Sequence, residues 1–281
     1  MKVLIAGCGD LGTETGLRLL RDGHDVVGLR RRAERLPSGF ERLAGDLGDA
    51  LPPLPHDVDA VVFAAAPGQR SVSAYRRVYH DGLAGVLDGL QRAGASPQRV
   101  LFVSSTAVYG VDDGSWVDET TPTRPNSDTG RVLVEAEQLL FEAPLPGTVF
   151  RLAGIYGPGR TRLLDQVRAG EAVAPQPPVH TNRIHRDDAA EAIVHLLTRV
   201  ADPAEVYLGV DEAPVDRGEV VRWLADQLGV PPPPEGAHQR SRGGDKRCRN
   251  DRLLATGFAF AYPTYREGYA AVLRGEGVRH P

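Results

Sequence analysis

Short, unbroken apolar runs recur through the first half of the chain, and each is closed by turn residues. Val3-Leu4-Ile5-Ala6 stops at Gly7, and Val26-Val27, Val58 to Ala65, Val100 to Val103 and Thr148 to Leu152 follow the same plan. Runs of this length, with little polar alternation, predict strands buried on both faces, as in a parallel sheet. Helical periodicity lies between them. Leu11, Thr15 and Leu19 share one helix face, and Val132, Leu133, Ala136, Leu139 and Leu140 share another. Strands alternating with helices predict βαβ units, hence an α/β protein with a doubly wound, Rossmann-type parallel sheet.

The pattern changes after about residue 155. Gly154 to Arg160 is a Gly/Pro loop, and Asp187 or Asp188 is placed to cap a helix through Ile193, Leu196 and Leu197. Val206 to Val210 reads as a further strand and Val220, Val221, Leu224 and Leu228 as an amphipathic helix; Pro231 to Arg249 reads as a loop. The expected organisation is a large Rossmann-type domain over residues 1–155, to which 186–202 return. Residues 156–185 and 203–281 are expected to form a smaller C-terminal lobe.

Composition narrows the function classes. The 281 residues suffice for a sizeable core, and a net charge of −4 gives no reason to expect nucleic acid or an anionic membrane as partner. The longest apolar run, Ala60 to Ala66, is far too short to cross a bilayer. Met1-Lys2 leads straight into a strand, with no signal-peptide pattern. Two cysteines, Cys8 and Cys248, make neither a disulfide framework nor a metal site. A reducing, cytoplasmic setting is expected, with no metal and with a monomer or homodimer as the assembly. Lysine occurs only at Lys2 and Lys246.

The first chemical signal is Gly7-Cys8-Gly9-Asp10-Leu11-Gly12, a G-x-G-x-x-G that follows a strand and opens a helix. Gly7 permits the tight turn, Gly9 lets backbone approach a pyrophosphate, and Gly12 lets helix and strand pack closely. Backbone N–H groups at the helix start then face the anion. Cys8 reads as a small turn residue. The end of the second strand reads Val27-Gly28-Leu29-Arg30-Arg31-Arg32, without the acid that usually bonds a ribose 2′-hydroxyl. Arg30 and Arg31 there suit a 2′-phosphate, which favours NADP over NAD; a merely solvated basic run is the alternative. Asp46 follows the next short strand, as an adenine contact or a turn residue. Leu47 and Ala65 complete the expected cofactor contacts.

Further segments resemble the extended short-chain dehydrogenase/reductase superfamily, the NAD-dependent epimerase/dehydratases of nucleotide sugars. Val103 to Gly110 (VSSTAVYG) is similar to that family's fifth-strand motif. Arg151 to Gly159 (RLAGIYGPG) is similar to its loop after the sixth strand, and Arg183 to Ala189 (RIHRDDA) to its helix entry. Asp245 to Asn250 and Tyr262-Pro263 are similar to its substrate lobe. The family's phosphate turn is G-x-x-G-x-x-G, one residue longer than here. The resemblance implies a Tyr-x-x-x-Lys pair for proton exchange. Aligned on Glu135-Ala136-Glu137, Thr129 stands at the tyrosine place and Leu133 at the lysine place; no Tyr-x-x-x-Lys exists in the chain, and Tyr156-x-x-x-Arg160 is its nearest echo.

The resemblance makes Ser105 the hydroxyl that hydrogen-bonds the reacting oxygen, or else a strand-end hydroxyl satisfying backbone. Tyr109 is either a surrogate acid or a packed aromatic. His185 is expected to be structural, near the cleft rim. Arg183, Arg186, Lys246 and Arg247 either meet an anionic substrate or are solvated surface. Two readings stand. One is an atypical NADP-dependent oxidoreductase or epimerase of a nucleotide-sugar-like substrate; the other is a catalytically silent NADP-binding sensor or scaffold.

Overall fold

Burial decides which apolar runs become strands. Val3, Leu4, Ile5 and Ala6 are wholly inaccessible, and so are Val61, Val62 and Phe63 and nearly all of Val100, Leu101 and Phe102. Side chains covered on both faces belong inside a parallel sheet with helices above and below. The computed structural model describes residues 1–237 and 243–281. Its elements begin with β1 (Lys2–Ala6), α1 (Asp10–Arg21), β2 (Asp25–Arg30), β3 (Phe40–Ala44) and β4 (Ala60–Phe63). A long helical segment follows: α2 (Val72–Tyr75), a π-helical turn (Arg76–Asp81) and α3 (Gly82–Ala93). Next come β5 (Arg99–Ser105), β6 (Trp116–Val117), α4 (Asp128–Glu142), β7 (Gly147–Leu152) and β8 (Gly154–Tyr156). The remaining elements are α5 (Arg162–Arg168), β9 (Ala174–Pro175), β10 (His180–Thr181), β11 (Arg183–His185), α6 (Arg186–Thr198) and β12 (Val206–Gly209). Then follow β13 (Val215–Asp216), α7 (Arg217–Leu228), β14 (Glu235–Gly236), β15 (Arg247–Cys248), α8 (Asp251–Ala255) and α9 (Tyr265–Leu273).

Seven strands form one sheet in the order β12-β7-β5-β4-β1-β2-β3, all paired in parallel. The sequence turns back at β1, so crossovers leave in opposite directions and helices cover both faces, as in a Rossmann-like α/β fold. One core cluster joins Leu4, Phe63, Phe102, Leu133 and Leu140; the other joins Ile5, Leu19, Val62, Leu101 and Ile193. A third cluster, around Tyr156, Leu164, Val221, Leu224 and Tyr269, is the centre of the smaller lobe.

Three expectations change. Val206–Gly209 is the seventh strand of the main sheet, hydrogen-bonded beside Val149–Leu152, so the expected lobe boundary at 203 cuts through the large sheet. His185, not an aspartate, caps α6, its ring nitrogen accepting the Asp187 N–H. Within the expected loop 231–249, β14 pairs with β9 and β15 with β6, while 238–242 lie outside the described residues.

Candidate cofactor and active site

The carboxyl ends of β5, β4, β1, β2 and β3 stand side by side, and there the sequence leaves its chemical residues. Along that edge lie Ser105, Ala65, the turn Gly7–Gly12, Arg30 and Asp46. At about 4.8 Å per strand the row extends roughly 19 Å.

The phosphate turn is shaped by its glycines. Gly7 adopts φ +82°, and a Cβ there would fall 2.5 Å from the Ala65 Cα, so only glycine lets the turn touch the end of β4. Gly7 and Cys8 both donate their N–H to the Leu29 carbonyl at 3.0 Å, tying the turn to β2. A Cβ on Gly12 would press on Ile5 at 2.9 Å. Gly9 differs: a Cβ there would meet only the Gly7 carbonyl oxygen, at 4.0 Å. It caps α1 with no side-chain hydrogen bond, leaving the first-turn N–H groups to an anion. A dinucleotide pyrophosphate fits this open cradle. Leu11 and Leu47 are core side chains, 5% and 9% exposed, so at Leu11 only the backbone is available to a ligand. Cys8 is wholly buried, and burial pushes its thiol up to about 12, which removes it as a nucleophile.

Arg30 ends β2 beside this turn. Its Nη1 is buried with no hydrogen-bond partner among the described residues, whereas Arg31 is exposed. A buried guanidinium nitrogen without an acceptor is costly unless a ligand supplies one. Two other expected contacts are taken up by the protein. Asp46 accepts from Gly48 N at 3.1 Å and from Arg77 Nη2 at 3.3 Å, as a turn residue would. Asp10 has both carboxylate oxygens occupied: Arg160 Nε donates to Oδ2 at 2.7 Å, and Arg186 Nη1 and His280 N donate to Oδ1 at 2.8 and 3.0 Å.

At the other end of the row, Ser105 caps the short 3₁₀ turn Thr106–Val108, its oxygen accepting Ala107 N at 3.2 Å. That bond leaves the hydroxyl hydrogen to donate elsewhere. Thr129 stands in the first turn of α4, half-buried, with Oγ1 3.3 Å from Ser127 Oγ. Gly130 lets that turn close on the 3₁₀ segment, since a Cβ would lie 3.0 Å from the Ala107 carbonyl. Leu133 is 2% exposed and belongs to the core.

Tyr109 is a packed aromatic, not a cleft acid. It is 2% exposed, its hydroxyl accepts from Arg151 Nη1 at 2.7 Å, and burial pushes its phenol up to about 12 despite that guanidinium. Arg151 also forks onto Glu137 at 2.7 and 3.1 Å, and Ser104 donates to Glu137 at 2.5 Å. This buried network consumes both Ser104 and Tyr109.

The substrate-lobe residues divide similarly. Arg186, 1% exposed, is spent on Asp10, Asp187 and the Val278 carbonyl. Lys246 is fully buried and donates to the Tyr109 and Gly243 carbonyls. Arg247 lies over the exposed Trp116 ring and donates to the Gly114 carbonyl. Neither Arg186 nor Lys246 is placed to meet a substrate. Arg183 is buried, with Nη1 lacking a partner among the described residues. His185 is buried against Tyr262, and burial holds its imidazole down near 4, so it stays neutral. Tyr156 and Arg160 do not pair. Tyr156 donates to the Thr264 carbonyl at 3.4 Å, and burial raises its phenol strongly. The sequence reading missed His180, whose Nδ1 lies 2.9 Å from Asp245 Oδ1, because the two are 65 residues apart.

A parallel Rossmann-like sheet with a glycine cradle at its carboxyl edge defines a dinucleotide-binding α/β protein. The pattern of the NAD dependent epimerase/dehydratase family matches residues 3–209, and the chain belongs to that family. It is 32% identical to Protein YeeZ of Escherichia coli (strain K12) over 277 residues, covering 93% of this chain and 96% of that one. It is 28% identical to the dTDP-6-deoxy-L-talose 4-dehydrogenase (NAD(P)(+)) of Kitasatospora kifunensis, covering 83% and 82%. A solved structure of a candidate NAD-dependent epimerase/dehydratase from Methylobacillus flagellatus superimposes with a TM-score of 0.79 at 37% identity, covering 98% of both chains. The family's cofactor is NAD(P), and this cradle has the features to hold it.

Proposed function

We propose that the chain is an NADP(H)-dependent oxidoreductase or epimerase acting on a nucleotide-sugar-like substrate, with an active site that works without Tyr-x-x-x-Lys. The observation that carries the cofactor choice is Arg30: a buried guanidinium nitrogen without a partner among the described residues, at the strand end where a ribose 2′-phosphate would lie. Gly9 and the first-turn N–H groups of α1 would hold the pyrophosphate. Bound nicotinamide supplies hydride chemistry; the chain supplies position and hydrogen bonds. Ser105 is the hydroxyl free to donate to a reacting oxygen, and Thr129 stands at the start of the helix that closes on its turn. The nucleotide-sugar reading rests on the family and on the Kitasatospora kifunensis dehydrogenase, whose name gives a dTDP-deoxysugar substrate and NAD(P).

The silent sensor or scaffold is favoured by one observation, the burial of Leu133 where the family's lysine would stand. Calorimetry separates the cofactor alternatives. NADPH should bind at least tenfold more tightly than NADH, since one charge-assisted hydrogen bond contributes about 1.5–3 kcal/mol, and Arg30→Ala should abolish the difference. Equal affinities in the parent would refute the NADP choice. A screen of nucleotide sugars with NADPH, comparing the parent with Ser105→Ala, tests the chemistry. No turnover despite tight NADPH binding would leave the sensor reading standing.

A further inference from the structure

Two segments remote in sequence converge on the first turn of the cofactor helix. One is the turn Gly157–Arg160, closed by Arg160 N donating to the Gly157 carbonyl at 3.0 Å. The other is the stretch 277–280. Gly277 packs on Pro158, Arg186 Nη2 donates to the Val278 carbonyl at 2.9 Å, and Arg279 Nη1 donates to the Gly159 carbonyl at 2.6 Å. His280 gives its N–H to Asp10, and its Nε2 lies 2.8 Å from Glu14 Oε2. Asp10 is the hub: its side chain is 7% exposed, and three groups from three segments bond it.

A carboxylate in the first turn of a phosphate-binding helix would repel the phosphate it faces, so its charge must be offset. Arg186 offsets it but is spent, fully buried with Nε, Nη1 and Nη2 all bonded to protein acceptors. Arg160 is in a different position. Its Nε is fixed to Asp10 Oδ2 at 2.7 Å, its side chain is 32% exposed, and its Nη groups have no partner among the described residues. Asp10 directly follows Gly9, the open residue of the cradle. A guanidinium anchored by one nitrogen and free at the other two is pre-organised to fork onto phosphate oxygens.

We propose that Arg160 is a ligand of the dinucleotide pyrophosphate, aimed by Asp10 and backed by the 277–280 stretch folded over the turn. This rests on the dinucleotide reading of the same cradle. It assigns to Asp10 a positioning role rather than a contact with the cofactor.

The test uses ligands that differ in phosphate content, with dissociation constants from fluorescence or calorimetric titration of the full chain. Arg160→Gln should weaken NADPH, NADH and ADP-ribose alike, by about ten- to hundredfold, because all three carry the pyrophosphate. Adenosine 2′-monophosphate keeps the 2′-phosphate but has no 5′-phosphate, and it should bind the variant within about threefold of the parent. The KCl dependence of the NADPH constant should flatten in the same variant, as expected when an ionic contact is lost. Arg160→Lys, which keeps the charge but not the fork, should fall between parent and Arg160→Gln, and covers the case in which the glutamine variant folds poorly. Thermal melting of the unliganded variants reports folding separately. Unchanged constants for NADH and ADP-ribose would overturn the proposal. So would an equal loss for adenosine 2′-monophosphate, which would mark a general collapse of the site. If the parent binds none of the four, the dinucleotide reading falls with it; if only the Arg160 variants match the parent, that reading survives.

Discussion

Gly7 and Gly9 are two residues apart in one turn, yet the structure predicts opposite consequences for the same substitution. Gly7→Ala forces an L-residue into φ +82°, a cost of about 1–2 kcal/mol. It also drives a Cβ to 2.5 Å from the Ala65 backbone, and relieving an overpacked contact typically costs about 1–3 kcal/mol more. The sum is roughly 2–5 kcal/mol, a fall in melting temperature on the order of 10 °C for a chain of this size. Gly9 has an ordinary φ of −87°, and a methyl group added there would have one carbonyl oxygen at 4.0 Å and nothing nearer. Gly9→Ala should therefore melt within a few degrees of the parent, because its cost is about 1 kcal/mol or less, the usual penalty for alanine at a helix cap. The methyl group would stand where the pyrophosphate approaches. Losing two charge-assisted hydrogen bonds of about 1.5–3 kcal/mol each implies a hundredfold or greater loss of NADPH affinity. Thermal melts of both variants, paired with NADPH titration, check the contrast. A Gly9→Ala protein that binds NADPH like the parent would refute the cradle. A Gly7→Ala protein as stable as the parent would refute the packing of the turn on β4.

Two further outcomes follow from buried groups. Burial pushes the Glu14 carboxyl up, but the His280 hydrogen bond and the Arg186 and Arg18 charges outweigh it and hold it at about 2. A lowered folded value means that Glu14 stabilises when ionised, above about pH 4.5, and that this is lost as pH falls toward 2. The parent should lead Glu14→Gln by up to about 3 kcal/mol in urea unfolding at pH 6, and the gap should close near pH 2; a pH-independent gap would contradict the assignment. Leu133→Lys, which reinstates the family's lysine, puts an unpaired ammonium into a site 2% exposed and should destabilise by about 3 kcal/mol or more. Thr129→Tyr with Leu133→Lys should not generate family-type turnover, as a nucleotide-sugar screen would show.

The sheet is legible in the sequence because its strands are buried on both faces and so read as continuous apolar runs. Val206 to Val210 reads as a strand, but its place beside β7 depends on a pairing of residues 57 positions apart that no local pattern encodes. The helical segment from Val72 to Ala93 escapes the pattern for a physical reason. Gly82, Gly85 and Gly89 lower its helix propensity, yet Gly82 and Gly89 are where the helix touches Leu47 and Leu54. At the site, backbone roles are readable and side-chain roles are not. The G-x-G-x-x-G turn states its geometry in its own spacing. That Asp10 is claimed by Arg160, Arg186 and His280, from 150 to 270 positions away, is a fact of tertiary structure. The same holds for Lys246, whose isolation as one of two lysines marks it for chemistry but whose Nζ is held by backbone carbonyls.

At the position where the family alignment sets its lysine, the packing leaves no gap. Removing a lysine from a cleft would ordinarily leave a polar hollow, yet Leu133 lies in the same apolar cluster as Phe102, Ala136 and Leu140. Nearby, Glu137 binds Arg151 and Ser104, and Arg151 binds Tyr109, so four polar side chains satisfy one another out of solvent. Removing one member of such a buried ionic pair typically costs about 3–5 kcal/mol, which makes the network a fixed floor under the end of β5 rather than a reserve of catalytic groups. Ser105 is then the β5 hydroxyl left facing outward. A lone hydroxyl can steady developing charge on an oxygen but is a poor proton donor at neutral pH. Under the proposed oxidoreductase or epimerase reading, the reaction would take its proton from solvent or from the substrate itself, and its pH–rate profile in turnover assays should follow the substrate's own acidity; a profile that follows the titration of a side chain of the floor would refute this.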